Sequence, residues 1–178
     1  SLVGRYNLAP FTLDSVAKNP QRTLEQLQKF DLAIIAKPTE EFTEAEKFVL
    51  DQYIMHQGKM LWLIDNVQAD LDSLTKQQGE MLAYPRDLNL TDALFSYGVR
   101  LSYDLAEDLY SAKIRLASGI VGNKTQYQNF NWPYFPLITS KNKHLITNQI
   151  APVQLKFSTA IDTLKNDISK TVLLQSSL

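Results

Sequence analysis

Cysteine is absent from the sequence, which excludes disulfides, thiolate metal sites and a cysteine nucleophile. The compartment stays open, because a domain of this size can fold without disulfide staples. Histidine occurs only as His56 and His144. Neither belongs to an i, i+4 ligand pair or to a nucleophile motif, so no histidine metal site and no Ser-His-Asp triad can be read. Ordinary solvated roles, one near a helix end and one in a Lys-rich loop, account for both. The 6 glycines form neither G-x-G-x-x-G nor G-x-x-x-x-G-K-[ST], so there is no phosphate cradle. No cofactor is expected, and neither a metal nor a nucleotide should bind tightly. The longest apolar runs, Leu32 to Ala36 and Met60 to Ile64, are the size of strands and well short of the roughly 20 residues that span a bilayer. A basic excess is missing too. The 18 Lys and Arg face 19 Asp and Glu, a formal charge of -1, so nucleic acid is not an expected partner.

What remains is the composition of a folded globular chain. Of 178 residues, 44% are hydrophobic and 21% charged, which fits a single α/β domain over residues 1–178. The first half alternates short apolar runs with amphipathic stretches, the pattern of βαβ units around a parallel sheet. Tyr6 to Leu13 can be extended, with Pro10 confining it to an edge or a strand end. Asn19-Pro20 opens a helix whose Leu24, Leu27 and Phe30 face the core. Asp31 to Lys37 reads as a strand buried on both faces and stopped by Pro38. Thr43 and Glu46 form a capping box for a helix to about Gln57, with Gly58 its left-handed terminator. Lys59 to Asp65 is the next buried strand. These steps predict a three-layer, doubly wound, mostly parallel sheet of flavodoxin-like type, with Ile34, Ile35, Leu61, Leu63 and Val172 in its central strands.

Beyond Asp65 the pattern loosens, with one short helix expected around Asp70 to Lys76. Asn89 is placed to cap a helix through Leu94 and Phe95 that Gly98 ends, and Val99 to Leu101 can form a strand. Lys113 to Val121 and Thr125 to Phe130 flank Gly122-Asn123, a pair suited to a tight turn, which predicts a β-hairpin inserted into the βαβ pattern. Val153 to Phe157 and Thr171 to Gln175 complete the strand candidates.

Two places can carry function. Asp65 ends a parallel strand, where doubly wound sheets bind ligands. With Asn66 and Lys37 it would line a small-ligand pocket, although Asp65-Asn66 is equally explained as a turn and cap. Glu107 and Asp108 read as a solvated face. The aromatic cluster Tyr127, Phe130, Trp132 and Tyr134, with Phe135 beyond it, is the densest unusual feature. Such residues anchor interfaces because they bury large area at low entropy cost, and they also anchor cores. Both readings stand at this stage, with Asn129, Asn131 and Pro133 favouring exposure of part of the cluster.

Several long segments carry a family resemblance: YNLAPFTLDSVAKNP (Tyr6 to Pro20), DLAIIAKP (Asp31 to Pro38), KMLWLIDNVQADLDSL (Lys59 to Leu74), AYPRDLNLTDALFSYGVR (Ala83 to Arg100) and NFNWPYFPLIT (Asn129 to Thr139). Together with the closing TVLLQSS they resemble the GldG-like accessory proteins of gliding-motility ABC transporters in Bacteroidetes. The resemblance implies a soluble region on the periplasmic face of the inner membrane, cut from a longer protein and anchored by membrane segments outside this chain. It also implies a role beside permease and ATPase subunits, and contact with envelope proteins. The fold it implies is that of class I glutamine amidotransferase-like domains, shared with a domain of intraflagellar transport proteins. Amidotransferases need a nucleophilic cysteine, which this sequence lacks, so no catalytic residue carries over. The expected function is non-enzymatic binding within a transporter complex, with small-ligand binding as the alternative.

Overall fold

A computed structural model describes residues 4–71, 82–142 and 144–177. Their contacts group the chain into two compact units, Ser1–Ile64 with Asp87–Ala93, and Asp65–Arg86 with Leu94–Leu178.

The first unit is built on one β-α-β step. Helix α1 (Pro20–Leu27) starts where the Asn19 side chain accepts from the Arg22 N–H at 3.0 Å, with Pro20 in the first turn. Strand β1 (Ala33–Ala36) leads through Lys37, at φ 50, into helix α2 (Glu44–Met55), and α2 returns to strand β2 (Met60–Leu63). The capping box at α2 forms as its sequence predicts: the Glu46 N–H donates to Thr43 Oγ1 at 3.3 Å and the Thr43 N–H to Glu46 Oε2 at 2.8 Å. Strands β1 and β2 are parallel and in register from Ala33 opposite Met60 to Ala36 opposite Leu63.

Both helices lie against one face of this pair. Leu24 and Leu27 from α1, with Val49, Leu50 and Tyr53 from α2, pack with Val16 over Ala33, Ile35, Met60 and Trp62. Among the described residues the opposite face has no such cover, so Leu63 is 49% exposed, and Ile34 and Leu61 are exposed with it. The continuous apolar runs were expected to be buried on both faces. They alternate instead, because two strands with both helices on one side make two layers, not three.

The left-handed residue after α2 is Gln57, at φ 70, not Gly58. Glycine is needed at 58 for another reason: a Cβ there would lie 2.5 Å from the ring of Tyr53. The strand expected at Tyr6 to Leu13 is absent; that stretch runs irregularly into turns at Asp14 to Lys18, and Phe11 and Leu13 pack against the core.

The second unit is antiparallel. Short strands β3 (Val67–Gln68) and β4 (Tyr84–Pro85) pair with each other. After helix α3 (Thr91–Ser96), strand β5 (Val99–Leu105) pairs with β9 (Thr159–Thr163). Strands β6 (Ser111–Val121) and β7 (Lys124–Ile138) form a long hairpin, and β8 (Val153–Gln154) joins the base of β7. The core here is Ile114, Phe135 and Phe157, with Leu105, Ala112, Leu116, Trp132 and Tyr134 around them. Phe135 and Phe157 meet edge to face, their ring centroids 5.0 Å apart.

This architecture overturns the doubly wound, flavodoxin-like and amidotransferase-like expectation. Among the described residues, β1 and β2 are the one parallel pair and every other pairing is antiparallel. The hairpin is therefore no insertion into a parallel sheet, since its base supplies much of the second core. Val172, expected in a central strand, lies outside any strand and is exposed; nearby, only an isolated bridge joins Gln175 to Thr139. The helix expected around Asp70 to Lys76 falls mostly outside the described residues.

Candidate functional site

The hairpin turn is set by Gly122. Its φ of 62, with Asn123 outside the left-handed region, is the signature of a two-residue turn of type II′, whose twist matches that of the flanking strands. From there β6 and β7 pair in register from Val121 opposite Lys124 to Lys113 opposite Asn131, with a bulge between Ala117 and Gly119. Every residue from Ala117 through Asn131 is exposed. Only the base of the hairpin enters the core, so its outer half is a free-standing ribbon of the kind that is marginally stable by itself.

The aromatic cluster divides along this ribbon. Tyr127 and Phe130 are on the exposed part, 54% and 42% accessible. Tyr127 is directly opposite Ala117, and the Arg115 guanidinium lies 4.7 Å from its ring centroid, a cation–π contact on one face of the ribbon. Phe130 is opposite Ile114 and continues the apolar face that runs down to the core. Trp132 and Tyr134 are half-buried against that core, their ring centroids 5.9 Å apart. A hydrogen bond to Glu107 raises the Tyr134 phenol above its ordinary value, and burial adds to the shift. Trp132 Nε1 is buried with no hydrogen-bond partner among the described residues.

Lys37, Asp65 and Asn66 do not fall in one compact unit: Lys37 is in the first, Asp65 and Asn66 in the second. The Lys37 N–H donates to the Leu63 carbonyl at 2.8 Å and closes the end of the parallel pair. Asn66 is buried, and its carbonyl accepts from the Arg86 N–H at 2.7 Å. His56 caps α2, with Nδ1 2.7 Å from the Gln52 carbonyl oxygen. The His144 N–H donates to Asn142 Oδ1 in its loop.

Two polar clusters were missed by sequence reasoning. Lys47, buried on α2, holds Glu44 at 2.7 Å and Asp92 at 2.9 Å. Asn89, at φ 54, donates to the Phe42 carbonyl at 2.8 Å and so ties this segment to α2 in place of the expected helix cap. Hydrogen bonding with Lys47 lowers both carboxyl groups, and hydrogen bonding with Glu44 raises the lysine. Asp108 is the second correction: it is buried, not solvated. It accepts from the Tyr110 N–H at 2.8 Å, the Ser177 N–H at 2.7 Å and the Ser177 hydroxyl. Burial works against its charge, but the Ser177 and Tyr110 hydrogen bonds outweigh that and hold it below the ordinary carboxylate value. A buried lysine and a buried aspartate gave no periodic signal, because Asp92 for Lys47 and Ser177 for Asp108 come from distant parts of the chain.

Among the described residues no group of histidine and acidic side chains is arranged to hold a metal ion, and no helix is long and apolar enough to cross a membrane. The class this defines is a β-α-β unit and an antiparallel unit that presents an exposed hairpin. The chain belongs to the family described as ABC-type uncharacterized transport system, whose model matches residues 1–178. That family is an auxiliary component of ABC-type transport, not a known enzyme family. No curated protein matches the chain significantly. Among solved structures it is similar to one described as "mmIFT52 N-terminal domain", with 20% identity and a TM-score of 0.45, over 80% of this chain and 55% of that one.

Proposed function

We propose that this chain is a non-enzymatic docking module of its ABC transport system, acting on the periplasmic face of the inner membrane and, as the GldG resemblance suggests, in gliding motility. The observation that carries the docking role is the hairpin, exposed on both faces from Ala117 through Asn131 with Tyr127 and Phe130 on it. Interfaces concentrate their energy in a few aromatic anchors, and these two are accessible without disturbing the core. Trp132 and Tyr134, packed at the base, hold the hairpin in place. The occupant of these exposed aromatics is the permease or an envelope protein that travels with it, and the ATPase subunit of the same complex is reached through the full-length protein.

The test is recovery of the permease and ATPase subunits from native envelopes with the tagged full-length protein. Tyr127→Ser with Phe130→Ser should lower recovery and leave the thermal midpoint nearly unchanged. Trp132→Ala with Tyr134→Ala should lower the midpoint by several degrees through cavity formation. Full recovery by the Tyr127 and Phe130 variant would remove the aromatic wall from the interface.

A further inference from the structure

Strand β6 is an edge. It pairs with β7 on one side, and on the other no described strand or loop bonds to its backbone between Ser111 and Val121. In an antiparallel pair alternate residues turn their N–H and C=O groups away from the partner, so this side offers a ladder ready for another chain. The regular part runs from Lys113 opposite Asn131 to Ala117 opposite Tyr127, and a bulge ends it before Gly119. Side chains alternate along it. Ile114 and Leu116 turn to the core, whereas Lys113, Arg115 and Ala117 are exposed on the other face, beside Asn131, Asn129 and Tyr127. The Arg115 guanidinium lies 4.7 Å from the Tyr127 ring centroid and is held against that face. No ion pair joins Lys113 or Arg115 to a described residue, and there is no Asp or Glu from Leu109 through Ile161.

We infer that the β6 edge takes up an extended, acidic segment of a protein partner as an added strand, with acidic side chains at alternate positions beside Lys113 and Arg115. This rests on the reading of the hairpin as the docking element and deepens it by naming the chemistry of what docks. Charge complementarity selects the occupant. The residues of an added strand that lie beside Lys113 and Arg115 on one face are two apart, and in such positions opposite charges attract and like charges repel. The residue between them points with Ile114 towards the core side, so an apolar or small side chain suits it. The same rule disfavours a second copy of this strand: laid antiparallel about Ile114, it would set Lys113 of each copy against Arg115 of the other. The two cations thus keep the edge from pairing with itself and leave it open to an acidic strand. Main-chain bonds supply the affinity of an added strand, and its alternate side chains the choice of partner.

Titration of the chain with a labelled peptide of about eight residues alternating glutamate and valine tests this, read by fluorescence anisotropy and by amide hydrogen exchange. The peptide should bind and slow exchange at the β6 amides, and a peptide alternating lysine and valine should not. Lys113→Glu with Arg115→Glu should weaken binding of the glutamate peptide by about tenfold or more and transfer binding to the lysine peptide. Both side chains are exposed, so the thermal midpoint should hold, and uptake of the lysine peptide shows that the variant is folded. The glutamate peptide methylated on its amide nitrogens keeps its charge and loses its donors, and it should not bind. No slowing of exchange in β6, equal binding of the methylated peptide, or unchanged affinity of the double variant would overturn the inference. Protection of β6 that grows with protein concentration in the absence of peptide would overturn it in favour of a second copy. The docking reading is judged separately, by subunit recovery with the Tyr127 and Phe130 variant, so the two can fail independently.

Discussion

Gly58 offers the sharpest test of how the first unit is built. A Cβ at this position would stand 2.5 Å from Cε1 and Cζ of Tyr53 and 2.6 Å from Cδ1. The ring has little room to retreat. Tyr53 is 1% exposed, and its hydroxyl donates to the Phe30 carbonyl at 2.9 Å. Gly58 is held as well, because its N–H donates to the Tyr53 carbonyl at 2.9 Å. Gly58→Ala must therefore push the ring, overpack the core at about 1 to 3 kcal/mol and weaken or break a buried hydrogen bond at about 1 kcal/mol. We expect a loss of about 2 to 4 kcal/mol in urea denaturation, with unchanged m-value. The control is Gly58→Asn. If glycine served as a left-handed terminator, asparagine would be tolerated there, whereas steric conflict with Tyr53 makes it at least as damaging as alanine. Gln57, which does occupy the left-handed region, should instead accept glycine with a gain. A double-mutant cycle with Tyr53→Leu, which removes the opposing ring atoms, should show a coupling of about 1 kcal/mol or more. A loss below about 0.5 kcal/mol for Gly58→Ala, or a tolerated asparagine, would refute the close-approach argument.

Leu63→Ala should cost roughly 1.5 to 2.5 kcal/mol in the same assay, because a leucine 49% exposed has about half the burial that makes such changes cost about 2.7 to 5 kcal/mol in full cores; a loss above about 3 kcal/mol would mean that the open face of the β1–β2 pair is covered in solution. Asp108→Asn should lose about 2 kcal/mol at neutral pH, since it replaces a charged acceptor of three hydrogen bonds. Its folded-state carboxyl is held below the ordinary value, so the charge stabilises above that value and the contribution fades as pH falls below about 4. Thermal midpoints of the two proteins should converge through that range, and a gap independent of pH would rule out the charge as its cause.

How much of this was legible in the sequence depends on how local the cause is. The Asn19 cap and the Thr43–Glu46 capping box were readable, because each is a contact within four residues and needs no tertiary knowledge. The Gly122-Asn123 turn was readable for the same reason: two residues fix the twist, and the alternating flanks only have to follow it. Strand identity at Ile34, Ile35, Leu61 and Leu63 was readable as well, but not how many of their faces are buried. A continuous apolar run is what a strand covered on both sides requires; it does not oblige the rest of the chain to supply the second cover. Here both helices went to one face.

The aromatic cluster shows the same limit at finer grain. Tyr127, Phe130, Trp132 and Tyr134 look alike in sequence, and their separate fates follow from distance along one strand. A two-stranded ribbon can bury only the part that lies over Phe135 and Phe157, so Trp132 and Tyr134 pack while Tyr127 and Phe130 remain in solvent. Where the ribbon leaves the core was set by residues beyond 150: β8 pairs with Leu137 and Ile138, and the Phe157 N–H donates to the Tyr134 carbonyl to close the base. No pattern within β7 encodes that position. The exposure of the outer half is thus a consequence of non-local pairing, and it gives the family's transport-auxiliary role a physical candidate. It is an arm carrying aromatic, aliphatic and cationic groups with no acid among them, free of the packing that stabilises the fold, so that side chains on it can change a partner's affinity without changing the stability of the domain.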